Sequence, residues 1–112
     1  MINYNTHNNI EIYNKKITVI GLGVSGKAAA QLANYLGAKV FASDIGNSRA
    51  ISTNAMDLMS NHIASETGIH SDKIFDADIW IVSPGIPKES EIILKALDKD
   101  ILIVSEIEFA SW

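Results

Sequence analysis

Lys16-Ile17-Thr18-Val19-Ile20-Gly21-Leu22-Gly23-Val24-Ser25-Gly26 is the stretch that decides the fold. Lys16 to Ile20 is short and β-branched and stops at a glycine, so it reads as a buried strand. After Gly26 the apolar residues Ala29, Leu32, Ala33 and Leu36 recur at helical spacing, which predicts one buried helix face, and Gly37 follows as the terminator. Between strand and helix lies Gly21-x-Gly23-x-x-Gly26. Alone this pattern is a weak signal, but between a strand and a helix it is a strong one. Gly21 permits the tight turn, Gly23 lets backbone approach a diphosphate, and Gly26 allows the helix to pack closely. The first N–H groups of the helix, at Val24, Ser25 and Gly26, then face the anion with the helix dipole behind them. The competing reading is a structural glycine turn without a ligand.

The same alternation continues along the chain. Lys39 to Ser43 reads as a second strand closed by Asp44, and a helix is expected around Asn54 to Ser60. A weak third strand is expected within Ile63 to Ile69. Ile79 to Ser83 is apolar on both faces, as a central parallel strand is. Ser90 is placed to cap a helix that buries Ile93, Ala96 and Leu97. Ile101 to Val104 is a last buried strand, and Glu106 to Trp112 starts a new element whose Ile107, Phe109 and Trp112 are expected to lie uncovered. Strands alternating with helices predict a Rossmann-like, doubly wound, mostly parallel α/β sheet of about five strands.

Composition bounds what such a domain does. The chain has 112 residues, enough for one domain, and 47% of them are hydrophobic. We divide it into a polar lead-in, residues 1–14, and one nucleotide-binding domain, residues 15–112. The net charge of −4 gives no general attraction to nucleic acid or anionic membrane. Cysteine is absent, which excludes disulfides, thiolate catalysis and cysteine zinc sites. No run approaches the roughly 18 apolar residues of a membrane span, and asparagine-rich Met1 to Asn9 does not read as a signal peptide, so a cytoplasmic location is expected.

Two further segments join the glycine loop. Asp44 ends the second strand about 20 residues on, where NAD-binding domains keep an acid for a ribose hydroxyl. A carboxylate there equally accepts the N3–H of a uracil, or simply caps the following loop. Ser83-Pro84-Gly85-Ile86-Pro87 follows a central strand, at the carboxyl edge where open α/β sheets take ligands. Gly21 to Gly26-Lys27 also matches a P-loop up to its last position, where Ala28 replaces the metal-binding hydroxyl, so ATP hydrolysis here is not expected. His7, His62 and His70 lack ligand spacing and read as surface or loop residues, and no metal site is expected. Asp72, Asp76 and Asp78 read as a solvated loop and strand edge. Glu106 and Glu108 have no nearby partner in sequence and read as structural or capping residues. Trp80 and Trp112 read as core or interface.

Taken together, Ile17 to Gly26, Ser43-Asp44, Ser83 to Pro87 and Ser105-Glu106-Ile107-Glu108 resemble, in order and spacing, the N-terminal domain of the D-glutamate-adding Mur ligases of peptidoglycan synthesis. The resemblance covers nearly the whole chain after Asn14. It implies a three-domain ligase in which ATP and Mg²⁺ activate a carboxylate as an acyl phosphate, at residues of a central ATPase domain outside this chain. It implies that this domain anchors the UDP end of UDP-N-acetylmuramoyl-L-alanine, binds no cofactor, carries no catalytic residue and is inactive alone. By the same resemblance Gly23, Val24, Ser25 and Gly26 meet the diphosphate, while Asp44, Ile45, Ser83, Pro84 and Gly85 enclose the uridine. Ile45-Gly46 departs from the polar or basic pair of some members. The glycines and Asp44 fit two other readings: an NAD-binding domain of an oxidoreductase and a nucleotide-sensing regulatory module.

Overall fold

The computed structural model describes residues 11–112, so Met1 to Asn9, His7 and most of the lead-in lie outside the described residues. Five strands, β1 (Lys16–Ile20), β2 (Lys39–Asp44), β3 (Ala64–Thr67), β4 (Ile79–Val82) and β5 (Leu102–Ser105), form one sheet in the order β3-β2-β1-β4-β5. Every pairing is parallel. The helices are α1 (Val24–Tyr35), α2 (Arg49–Ser60), α3 (Glu91–Asp98) and α4 (Glu106–Ala110), with a short 3-10 turn at Asp72–Phe75.

Alternation along the strands divides the core between two faces. Ile17 and Val19 of β1, Ala42 of β2, Ile79 and Ile81 of β4 and Val104 of β5 pack with Ala29, Ala30 and Ala33 of α1, Ala55 and Leu58 of α2 and Phe109 of α4. On the opposite face Ile20, Trp80 and Ile101 pack with Ile74 of the 3-10 turn and Ile93 and Ala96 of α3. Two covered faces make the sheet doubly wound, as expected. Trp80 is wholly buried, its Nε1–H donates to the carbonyl of Ile74 at 2.6 Å, and its ring lies 5.5 Å from that of Phe75.

Several local expectations are corrected. The buried face of α1 is Gly26, Ala29, Ala30 and Ala33, whereas Leu32 and Leu36 are exposed. Small residues let the helix lie close on the sheet, and that proximity outweighs the greater hydrophobicity of the leucines. α2 begins at Arg49, not Asn54, because the Ser48 hydroxyl caps it by accepting from the N–H of Ile51. In α3 Leu97 is exposed and only Ile93 and Ala96 are buried. Ser90 occupies the cap position, but its hydroxyl makes no cap bond. At the end of the chain Ile107 is exposed as expected, while Phe109 is buried and Trp112 packs edge-on against it.

Gly26 carries the tightest constraint. A Cβ there would fall 1.9 Å from the carbonyl oxygen of Gly21, so the first turn of α1 sits directly on the loop that leads into it. Gly26→Ala is therefore expected to lower stability by about 2–4 kcal/mol. Urea unfolding checks this as a fall in midpoint at unchanged slope.

Candidate functional site

The sheet order reverses between β1 and β4, and the loops after these strands part to leave a crevice at the carboxyl edge. After β1 the chain turns at Gly21, whose φ of +107° suits glycine and whose N–H donates to the carbonyl of Ser43 at 2.8 Å. Leu22 is then clamped at both ends of its backbone. Its N–H donates to Asp44 Oδ2 at 2.7 Å, and its carbonyl accepts from Asn54 Nδ2 at 2.8 Å. Its side chain is fully buried. This anchoring fixes where α1 begins.

Gly23 is the N-cap of α1, and the first helical bond closes from the Lys27 N–H to the Gly23 carbonyl at 3.0 Å. The amides of Val24, Ser25 and Gly26 precede that bond and are the donors a helix start leaves without intrahelical acceptors. No acidic side chain stands in this first turn. A Cβ on Gly23 would meet nothing within 4 Å, and its φ of −71° is open to any residue. Gly21 and Gly26 thus have steric reasons inside the protein, and Gly23 has none.

Beside this loop lies a cleft of about 450 Å³ lined by Gly21, Asp44, Ile45, His70, Ser83, Gly85, Ile86, Pro87, Ser90, Glu91 and Ile92. A volume of this order suits a small ligand. Of the residues singled out in the sequence, Asp44, Ile45, Ser83 and Gly85 therefore share one wall system. Ser25 and Pro84 face a neighbouring apolar cleft of about 460 Å³ between α1 and α4. The Asp44 carboxylate is already employed: Oδ2 accepts from Leu22 and Oδ1 from the N–H of Gly46 at 2.7 Å. The loop-capping role weighed for it is thus present.

Two features escaped the sequence reading. Glu106 does have a partner: the Ser25 hydroxyl donates to its Oε1 at 2.6 Å across 81 positions of chain. Glu106 is buried, and its other oxygen has no hydrogen-bond partner among the described residues. No sequence spacing announces this contact, because only the strand order brings β5 and its following helix beside α1. The second feature is a cluster beneath the cleft. The fully buried Ser43 hydroxyl lies 2.8 Å from Glu66 Oε2 and 2.7 Å from His70 Nδ1, and Glu66 Oε2 also accepts from the N–H of Ser71 at 2.8 Å. Burial pushes the His70 imidazole below its ordinary value, only partly offset by Asp44 and Glu66. Burial pulls the Glu66 carboxyl upward, but the hydrogen bonds from Ser71 and Ser43, with His70 nearby, hold it below the ordinary range.

Other candidates stay apart. His62 is an exposed residue with φ of +66° after α2, and Asp76 and Asp78 are exposed. Asp78 does accept from the N–H of Lys16 at the start of β1, and Asp76 pairs with the Lys16 ammonium at 2.9 Å. Among the described residues no group of His, Asp or Glu is arranged to hold a metal ion, and no helix is long and apolar enough to cross a membrane.

Residues 15–105 match the family described as Mur ligase MurD-like, N-terminal domain. The UDP-N-acetylmuramoylalanine–D-glutamate ligase of Chlorobium limicola is 43% identical over 103 residues, which is 92% of this chain and 22% of that protein. The ligase of the same name from Bacteroides thetaiotaomicron is 44% identical over 98 residues, 86% of this chain and 21% of that one. The chain thus spans about a fifth of the length of these relatives. Among solved structures, UDP-N-acetylmuramate-alanine ligase MurC from Thermotoga maritima superposes with a TM-score of 0.72 at 22% identity, over 86% of this chain and 22% of that one. The dipicolinate synthase A chain from Bacillus subtilis reaches 0.67 at 18% identity, over 94% of this chain and 37% of that one. At these identities the structural likenesses establish the fold.

The cluster under the cleft sets an acid response. His70 is depressed in the folded state, so between its folded value and the ordinary 6.5 the unfolded chain binds more protons. Stability is therefore expected to fall as pH drops below about 6.5. Glu66 is depressed as well, so its contribution is present above 4.5 and is lost as pH falls through its folded value. Denaturant unfolding across this range should show both losses in sequence, and His70→Leu should remove the first while leaving the second.

Proposed function

The chain belongs to the MurD-like N-terminal domain family of the Mur ligases, and we propose that it anchors the UDP end of UDP-N-acetylmuramoyl-L-alanine for the ATP-dependent addition of D-glutamate in peptidoglycan synthesis. The observation that carries this reading is Gly23. Among the described residues nothing needs its missing Cβ, and a glycine at this position of the loop lets a diphosphate approach the backbone. The amides of Val24, Ser25 and Gly26 donate to phosphate oxygens there, assisted by the helix dipole. The Ser25 side chain is drawn away toward Glu106, so backbone rather than hydroxyl meets the anion. The uridine enters the adjoining cleft between Asp44-Ile45 and Ser83-Gly85.

ATP and Mg²⁺ do not fit this chain. Ala28 stands where a P-loop needs a hydroxyl, and the Lys27 ammonium is paired with Asp57 at 2.7 Å. We assign them, with the acyl-phosphate chemistry and the catalytic groups, to further domains of the ligase. In that scheme this domain works by remote binding: holding UDP far from the reacting carboxylate supplies orientation without a nucleophile. Residues 15–112 act as the anchoring domain, in the cytoplasm, with residues 1–14 as a lead-in.

Calorimetric titration with UDP-N-acetylmuramoyl-L-alanine, UDP, NAD and Mg-ATP tests the proposal. Both uridine ligands are expected to bind, and NAD and Mg-ATP are not. Gly23→Ala is expected to keep the unfolding free energy within about 1 kcal/mol, since its Cβ meets open space. The same variant should weaken the uridine ligands at least tenfold. Binding of NAD alone would contradict the proposal and favour an oxidoreductase domain.

A further inference from the structure

Asp44, at the end of β2, is the acidic group expected to read the base, but each of its oxygens already accepts a backbone N–H at 2.7 Å. A second acceptor lines the same cleft. His70 lies in the segment after β3, with its Nδ1 turned inward to Ser43. The Ser43 hydroxyl has one hydrogen, and it faces both Glu66 Oε2 at 2.8 Å and His70 Nδ1 at 2.7 Å. Carboxylate and carbonyl oxygens only accept, so the Ser43 hydrogen goes to Glu66, which is nearer than the Ile69 carbonyl at 3.3 Å. Nδ1 must then donate its own hydrogen to the Ser43 oxygen. With the single proton of a neutral imidazole held at Nδ1, Nε2 on the other side of the ring is a bare acceptor.

We infer that His70 determines base specificity at this cleft, its Nε2 accepting the one N–H donor on the hydrogen-bonding edge of a uracil. This deepens the UDP-anchoring reading and rests on it. Uracil presents N3–H between two carbonyl oxygens, whereas cytosine presents an acceptor at N3. A bare acceptor therefore selects uracil and leaves a cytosine edge facing lone pair to lone pair, the mismatch that discriminates most strongly in a desolvated site.

The Ser43–Glu66 arrangement keeps His70 in the required state. Burial favours the neutral ring, while Asp44 from β2 and Glu66 from β3 pull toward protonation. Glu91, at the start of α3, is the further acidic group lining the cleft, and among the described residues no lysine or arginine lines it. Protonation converts Nε2 into a donor, which opposes the N3–H of uracil and matches the N3 acceptor of cytosine.

Titration of the chain with UDP, N3-methyl-UDP and CDP tests this inference. The three ligands carry the same diphosphate, so its own titration cancels in their ratios. At neutral pH, N3-methylation or exchange of uracil for cytosine is expected to weaken binding about tenfold or more. In His70→Leu the three affinities should converge while UDP still binds through its diphosphate, and in the unmodified chain below the imidazole range the preference should turn from UDP toward CDP. An equal preference for UDP in His70→Leu and the unmodified chain would overturn the role of His70 and leave the anchoring reading intact. Failure of UDP to bind the unmodified chain would overturn both, and the first titration distinguishes that case. The methylated ligand probes the N–H without any change to the protein, so the test does not depend on the variant folding.

Discussion

The contact between the first turn of α1 and the carbonyl of Gly21 is the constraint on which the remaining structure depends. It leaves no room for a methyl group at Gly26. Because the helix starts so close to the end of β1, its free amides open onto the edge of the sheet where the strand order reverses. The neighbours reinforce this position. Asp44 and Asn54 hold the two ends of the Leu22 backbone, Ser43 holds the Gly21 N–H, and a Cβ on Gly21 would fall 2.8 Å from that of Ser83. β2, α2 and the turn after β4 thus all converge on one loop of six residues.

A second constraint works below the cleft. Ser43, wholly buried at the end of β2, cannot leave its hydroxyl unpaired without cost, and Glu66 and His70 satisfy it. The same contacts tie the segment after β3 to the central strands. The wall of the cleft is therefore set by a polar cluster rather than by packing alone. On the far side of the loop, Glu106 takes the Ser25 hydroxyl, linking the end of β5 to the start of α1.

How much of this was legible in the sequence depended on the range of the interaction. β1, the glycine turn and the start of α1 were readable because strand period, turn chemistry and helix start all fall within a dozen residues. β4 and β5 were readable because strands buried on both faces are almost continuously apolar. On α1 the spacing gives Ala29 and Ala33 correctly but not Leu32 and Leu36, because close packing on a sheet selects Gly26, Ala29, Ala30 and Ala33. The true start of α2 rests on the Ser48 cap, a local signal set before a first turn of mixed polarity that hides the helical period. The Ser25–Glu106 and Ser43–His70 contacts were not readable at all. Each joins residues far apart in sequence, and the strand order that unites them is a property of the whole sheet.

The central claim is that the amides at the start of α1 and the cleft between β2 and β4 receive one ligand together. Amide chemical shifts of the chain during titration with UDP test it most directly. The account predicts saturable shifts at Val24, Ser25 and Gly26, with Ile45, His70 and Gly85 following the same curve. Shifts confined to α3 or α4, or movement of the cleft residues without those of the glycine loop, would contradict it.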